Sequence, residues 1–267
     1  MEPAVNQALL ILRFELAEVR RSRAVLGYGL LLLAVTDALL RFGGGGPRAV
    51  VSLMNVVLIF VPLVSVVFGT MHVYAAREFT ELLLVQPVSR RSLYAGLLGG
   101  LALPLSAAVT LGVGLPFLWH PAEGGPVAGP LGTLIAAGVL LTLIFTGVAF
   151  FAANRFEDRA KGLGAGLLAW LTLTVVYDAF ILFVVTTWGD YPVETPLLAM
   201  SLLNPVDAAR IALLLQLDTA ALLGYTGAAL QRFFGTPWSI AAAGMALCTW
   251  AALPAWAGWR QFRRKDF

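Results

Sequence analysis

Six long stretches of this chain carry almost no charge: Ala24 to Leu40, Val50 to Tyr74, Ser92 to Leu118, Leu131 to Asn154, Gly162 to Thr187 and Thr236 to Trp259. A hydrocarbon layer about 30 Å thick is crossed by about 20 apolar residues of helix, and its lack of water obliges each backbone to satisfy its own polar groups. Four of the six contain no Asp, Glu, Lys or Arg; the exceptions are Asp37 near the far end of the first and Asp178 well inside the fifth. A chain that is 59% hydrophobic and 12% charged cannot hide its apolar surface in one soluble core. The pattern predicts an all-α integral membrane protein, residues 1–267 forming a single membrane domain with six transmembrane helices.

Charge then orients it. Basic residues are retained on the cytoplasmic face, and fourteen of the 18 fall on one side: Arg13, Arg20, Arg21 and Arg23, then Arg77, Arg90 and Arg91, then Arg155, Arg159 and Lys161, and finally Arg260, Arg263, Arg264 and Lys265. Only Arg41, Arg48, Arg210 and Arg232 fall on the other. Both termini are expected in the cytoplasm, the chain lying in a bacterial or archaeal cell membrane. Because the basic residues are shared among four short segments, the net charge of +3 serves topology and makes no stripe for nucleic acid. Cys248 is the one cysteine and lies in the last span, so neither a disulfide framework nor a CxxC pair exists. No cleavable signal peptide is expected, since the first apolar run starts near Ala24 and extends to a full span.

Before that run, Val5, Ala8, Leu9, Leu12, Leu16 and Val19 recur at helical spacing while Arg13, Glu18, Arg20 and Arg21 fall elsewhere around the wheel. Residues 3–22 are therefore predicted as an amphipathic elbow helix resting in contact with membrane lipid along the inner surface. The Gly43 to Pro47 and His120 to Pro130 stretches read as breaker-rich outer turns. The segment 188–235 is too long for a turn, yet a seventh span there would carry the basic C-terminus outside. It is predicted as one or two interfacial helices, one of them started by Asn204 as N-cap and Pro205 in the first turn, with Asp207 complementing the dipole. Asn204, Pro205, Asp207 and Arg210 thus become candidates for docking an outer partner; a plain lid over the bundle is the alternative.

The most charged inner segment runs from Arg77 to Arg91. On a helix Phe79, Leu82 and Leu83 share one face and Glu78 and Glu81 another, and Pro87 discourages continuation past Gln86. A short amphipathic helix ending in a basic turn is predicted.

Glu81-Leu82-Leu83-Leu84, two further residues, then Pro87-Val88-Ser89-Arg90 resembles the loop after the second span in six-helix permeases of ATP-binding-cassette exporters. The family's common Gly-Thr pair before the Leu run is replaced here by Glu78-Phe79. Leu202 to Asp207, the basic loop Arg155 to Lys161 and the closing Phe262 to Phe267 are similar to the NosY branch, permeases of the transporter that helps mature the copper centre of nitrous oxide reductase. The resemblance implies a coupling helix contacting a separate ATPase subunit through Arg77, Glu78, Thr80, Glu81, Gln86, Pro87, Arg90 and Arg91, with Arg155, Glu157, Asp158 and Arg159 from the next inner loop. It also implies two copies of the chain, an extracytoplasmic accessory protein of NosD type, and ATP and Mg on the ATPase subunit. This chain itself has no G-x-x-x-x-G-K-[ST] cradle, since Lys161 is followed by Gly162 and Lys265 by Asp266.

An intramembrane enzyme would need a nucleophile with a base, a ligand cluster or paired acids, and the chain offers two distant histidines, one thiol and a single deep acid. The competing function is a proton-coupled secondary transporter using Asp178, about 15 Å below the outer edge, with Asn55 as a second polar group on the pathway. Against it stands a packing role, in which Asp178 is held by a neighbouring helix; the absence of a second acid favours packing. A copper or sulfur cargo is implied by the NosY resemblance, but Met54 and Met71 are about 25 Å apart along one helix and no metal site is predicted. Motion passed mechanically to an outer partner fits equally. The Gly96/Gly100 and Gly162/Gly166 pairs permit close helix approach without identifying a dimer face.

Overall fold

The computed structural model describes residues 10–13, 22–43, 46–120, 127–188, 199–216 and 237–265. Every regular element among them is helical. In chain order they are α1 (Arg23–Phe42), α2 (Gly46–Ala75), α3 (Arg77–Leu84), α4 (Arg90–Gly114), its short continuation α5 (Pro116–Trp119), α6 (Ala128–Arg155), α7 (Arg159–Trp188), α8 (Pro205–Gln216) and α9 (Pro237–Arg264). Five segments are long and apolar enough to cross a membrane: α1, α2, α4 with α5, α6 and α7. The 28-residue α9 covers the sixth apolar stretch. Each of the six helices outruns its apolar run by a residue or more, because polar residues such as Arg23, Arg90, Arg155 and Arg264 complete the terminal turns where water begins.

The bundle is built around α6, which packs against α2, α4, α7, α8 and α9. A helix that is apolar all round belongs at a centre, and α6 buries Leu134, Leu141, Ile144, Phe145 and Phe150 at once. Without a hydrophobic force between helices in lipid, close approach of small residues supplies the attraction. A Cβ on Gly69 would come within 2.5 Å of Ala149 Cβ, and one on Gly147 within 3.0 Å of the Ala255 backbone nitrogen. Hydroxyls inside the spans turn back on their own helix: Thr36 donates to Leu32 O, Ser65 to Val61 O and Thr142 to Gly138 O, each at 2.8 Å. Trp170 Nε1 donates at 3.1 Å to Ile59 O, in the turn before Pro62, which sits inside the continuous α2.

Of the elbow helix, residues 10–13 are described and helical, with Ile11 buried against Gly96 of α4; residues 3–9 and 14–21 of that prediction lie outside the described residues.

The outer segment departs from the prediction of helices lying along the surface. Asn204 Nδ2 donates at 2.7 Å to Leu173 O, fifteen residues below the outer end of α7, and Trp250 Nε1, midway along α9, donates at 3.0 Å to Leu203 O. Two independent helices therefore put residues 203–204 at about 22 Å of helix depth, near the middle of the bundle. From there α8 rises its twelve residues, about 18 Å, until Gln216 lies beside Gly129 at the start of α6. The physical reason is side-chain content: Val206, Ala208, Ala209 and Leu213 are fully buried, and that apolar face is satisfied between α6 and α9. Residues 189–198 and 217–236 of this segment lie outside the described residues.

Candidate functional site

Two groups of polar residues stand out, one at each level of the bundle. At the basic end the predicted short amphipathic helix is present as α3, followed by a turn over residues 85–87, and Ser89 caps α4 by accepting from Ser92 N at 3.1 Å. Its apolar face differs from the wheel prediction. Thr80 is the buried residue, Leu83 and Leu84 rest on the core, and Leu82 stands 68% exposed. The reason is the short tether to α2, which turns the Thr80–Leu84 edge inward.

The twelve residues expected to couple divide into two sets. Glu78, Glu81, Gln86, Pro87, Arg91, Arg155, Glu157 and Arg159 are exposed. Of the other four, Arg77, Thr80 and Arg90 are turned inward, and Asp158, itself exposed, caps a helix. Arg77 donates at 3.1 Å to Phe156 O and lies over the Tyr74 ring, while Tyr74 Oη donates to the carbonyls of Phe156 and Asp158. Asp158 caps α7, its carboxylate accepting from Ala160 N at 2.7 Å and Lys161 N at 3.2 Å. Arg90 Nη1 donates at 3.0 Å to both Arg263 O and Lys265 O, closing the end of α9. Thr80 is buried. Burial, and then the positive charge of Arg77, hold the Lys265 ammonium below its usual range; Glu157 and Glu81 act in the opposite sense. Val85 was missed from sequence. It is 88% exposed on the turn after Leu82, so two aliphatic side chains stand bare among charges at the tip of the hairpin.

Deeper in the bundle, Asp178 is paired. Arg210 of α8 holds it bidentately, Nη1 to Oδ1 at 3.1 Å and Nη2 to Oδ2 at 2.9 Å, and Nη1 also reaches Asp207 Oδ1 at 2.9 Å. Asn204 completes the group: Nδ2 donates to Asp207 Oδ2 at 3.2 Å and Oδ1 accepts from Val206 N at 3.1 Å, the N-cap that the sequence predicted. A second acid therefore accompanies Asp178 after all, brought by a segment that the sequence reading left at the surface. Asn204, Pro205 and Asp207 are buried and Arg210 half-buried, so these residues bond inward, to α7 and to one another. Just below Asp178, Thr172–Val176 are wound as a π-helix, and the Asn204 amide enters the ladder there at Leu173 O. Asn55 is exposed on α2 and makes no contact with this group among the described residues.

No family model matches the sequence. Over 271 aligned positions the chain is 26% identical to a protein of Pseudomonas aeruginosa described as "Probable ABC transporter permease protein NosY", the match covering 96% of this chain and 97% of that one. The likeness runs along nearly the whole length of both chains. That extent matters, because both polar groups, residues 77–91 and 178–210, fall within the matched span. The hairpin's amphipathic pattern could be read from the sequence. The Asp178–Arg210 pair could not, since 32 residues separate its members and no local periodicity links them.

Proposed function

We propose that this chain is the transmembrane permease subunit of an ATP-binding-cassette transporter, driven by a separate ATPase subunit that docks at the basic end of the bundle. The observation that carries the reading is the α3 hairpin. It presents Leu82 and Val85 in a ring of Glu78, Glu81, Gln86 and Arg91, while its two flanking arginines grip the ends of α6 and α9. An exposed apolar tip with rigid inward anchors suits a surface that receives a push and passes it on. The near full-length likeness to a probable ABC transporter permease supports the same class.

In this reading the basic end and both termini are cytoplasmic in the cell inner membrane, the nucleotide and its magnesium belong to the partner, and α9 is the sixth span. Two copies of the chain meet two ATPase subunits. The NosY resemblance carries the finer role, in which ATP-driven motion serves copper-centre maturation of nitrous oxide reductase through an extracytoplasmic partner of NosD type. Asp178 is then a structural ion-pair partner, its two carboxylate oxygens both held by Arg210.

The test is to tag the C-terminus, extract the protein in a mild detergent and identify what co-purifies by mass spectrometry. A stoichiometric ATPase subunit is expected, lost when Leu82 and Val85 are both changed to Asp. Purification of the chain alone, from membranes in which a known ABC complex survives the same extraction, would overturn the reading.

A further inference from the structure

We propose that the groove between α1 and α4 holds one anionic phospholipid from the leaflet on the basic side, its phosphate at Arg13 and an acyl chain laid along the two helices. Whether an ATPase subunit binds at the hairpin has no bearing on this lipid.

The groove follows from where the small residues fall. A Cβ on Gly29 of α1 would lie 3.5 Å from Ala108 Cβ of α4, and one on Gly112 of α4 would come within 2.7 Å of Leu32 Cβ. The two backbones therefore approach closely at the floor, while Leu30, Leu103 and Leu111 stand exposed on the flanks. Between them lies a cavity of about 1180 Å³. Along α4 it runs from Leu103 to Leu115, twelve residues or about 18 Å. One leaflet of a 30 Å hydrocarbon layer is about 15 Å deep, so the groove has the length of a single leaflet's acyl chain.

Some lipid fills any apolar groove in a bilayer; what selects the lipid here is charge. Arg13 is the only charged residue among the described walls, and no described carboxylate pairs with it. Glycines of α4 place it there. A Cβ on Gly96 would come within 2.5 Å of the Ile11 side chain, and one on Gly99 within 3.1 Å of Leu12, so the turn over residues 10–13 beds into α4 and Arg13 comes to the mouth of the groove. Its level suits a headgroup. Trp119, half-exposed at the outer end of the α4–α5 span, marks the outer interface, and Leu103 lies sixteen residues or about 24 Å below it. A layer about 30 Å thick then begins about one helical turn below Leu103, within reach of an arginine side chain that extends toward the interface. In the register set by Gly29 and Ala108, Arg23 at the start of α1 stands level with Ala102, which brings a second exposed cation to the same height. An anionic headgroup on an apolar chain matches both ends of this groove, whereas an uncharged helix matches only its length.

The test uses the purified full-length chain, stripped of lipid in detergent and titrated with phosphatidylglycerol or phosphatidylcholine of the same acyl chains, bound lipid being counted by native mass measurement. One phosphatidylglycerol per chain is expected to bind more tightly than phosphatidylcholine. Arg13→Gln should weaken phosphatidylglycerol about fivefold, the effect of one arginine near a membrane surface, and leave phosphatidylcholine unchanged. Arg260→Gln removes an exposed arginine from α9 at the same end of the bundle and should change neither. Ala107→Phe, at an exposed position lining the groove, should weaken both lipids by filling it. Equal binding of the two lipids to the unmodified chain, an equal loss from Arg260→Gln, or phosphatidylglycerol binding untouched by Arg13→Gln and Ala107→Phe would each overturn the proposal. In native membranes Leu103→benzoylphenylalanine should photo-cross-link to phospholipid; cross-linking to a second copy of the chain instead would overturn it as well.

Discussion

Arg210 is the residue on which the deep polar group turns. It is the sole cation among the described partners of two carboxylates, one of which, Asp207, is nearly inaccessible. Removing a cation leaves two negative charges with no counterion, whereas removing one carboxylate leaves a pair. Arg210→Gln should therefore destabilise the chain by about 3 kcal/mol, an order-of-magnitude figure for breaking a buried pair, and Asp178→Asn by clearly less, since the pair is a third exposed and Arg210 keeps Asp207. Thermal unfolding in detergent compares them; equal losses would mean that the charges act independently. For function the two readings of Asp178 diverge. As a structural partner in an ATP-driven permease it can be changed to Asn with activity largely kept, whereas a proton-coupled carrier would lose transport or its pH dependence.

At the scale of elements, hydropathy located the six helices to within a few residues, and N-cap chemistry located the start of α8 at Pro205. The level of α8 in the bundle was not legible, because a moderately apolar helix with an Arg and an Asp reads as interfacial until the partner that neutralises it is known. Arg210 and Asp207 look polar in sequence; paired with Asp178 they are far less so. The charged inner hairpin was legible as a helix but not in its facing, since eight residues contain too few turns for periodicity to outweigh the tether. Close packing gives this scale its own prediction. Gly162→Ala would drive a methyl into Tyr74, whose hydroxyl is fastened to the carbonyls of Phe156 and Asp158 and so cannot swing aside freely. A loss of about 1–3 kcal/mol is expected for such overpacking. In a Tyr74→Phe background, which frees the ring, the same Gly162→Ala change should cost less; an unchanged cost would show that the ring is not what blocks it.

For the molecule as a whole, the permease reading raises the question of how a push at one loop would reach the other helices. The hairpin joins α2 to α4 by chain connection alone, and a load on it would tilt those two helices only. Its arginines change that. Arg77 binds the end of α6 at Phe156 O, and Arg90 binds the end of α9 at Arg263 O and Lys265 O, where Tyr94 also packs on Trp259 and Phe262 and donates to Ala255 O. With Asp158 capping α7 and its carbonyl held by Tyr74, the ends of α2, α4, α6, α7 and α9 form one fastened plate at the basic end. Guanidinium geometry matters here, because a single Arg90 nitrogen serves two carbonyls from a fixed plane and a flexible ammonium holds them less firmly. Arg90→Lys should thus keep the chain folded and the ATPase subunit bound while weakening the link between nucleotide state and movement of α9. Arg91→Lys, whose side chain is exposed, should leave that link intact. Spin labels near the outer end of α9 in the purified complex, compared with and without ATP, read the difference directly: an ATP-dependent distance change that survives Arg90→Lys at full amplitude would mean that the load travels through α2 and α4 alone.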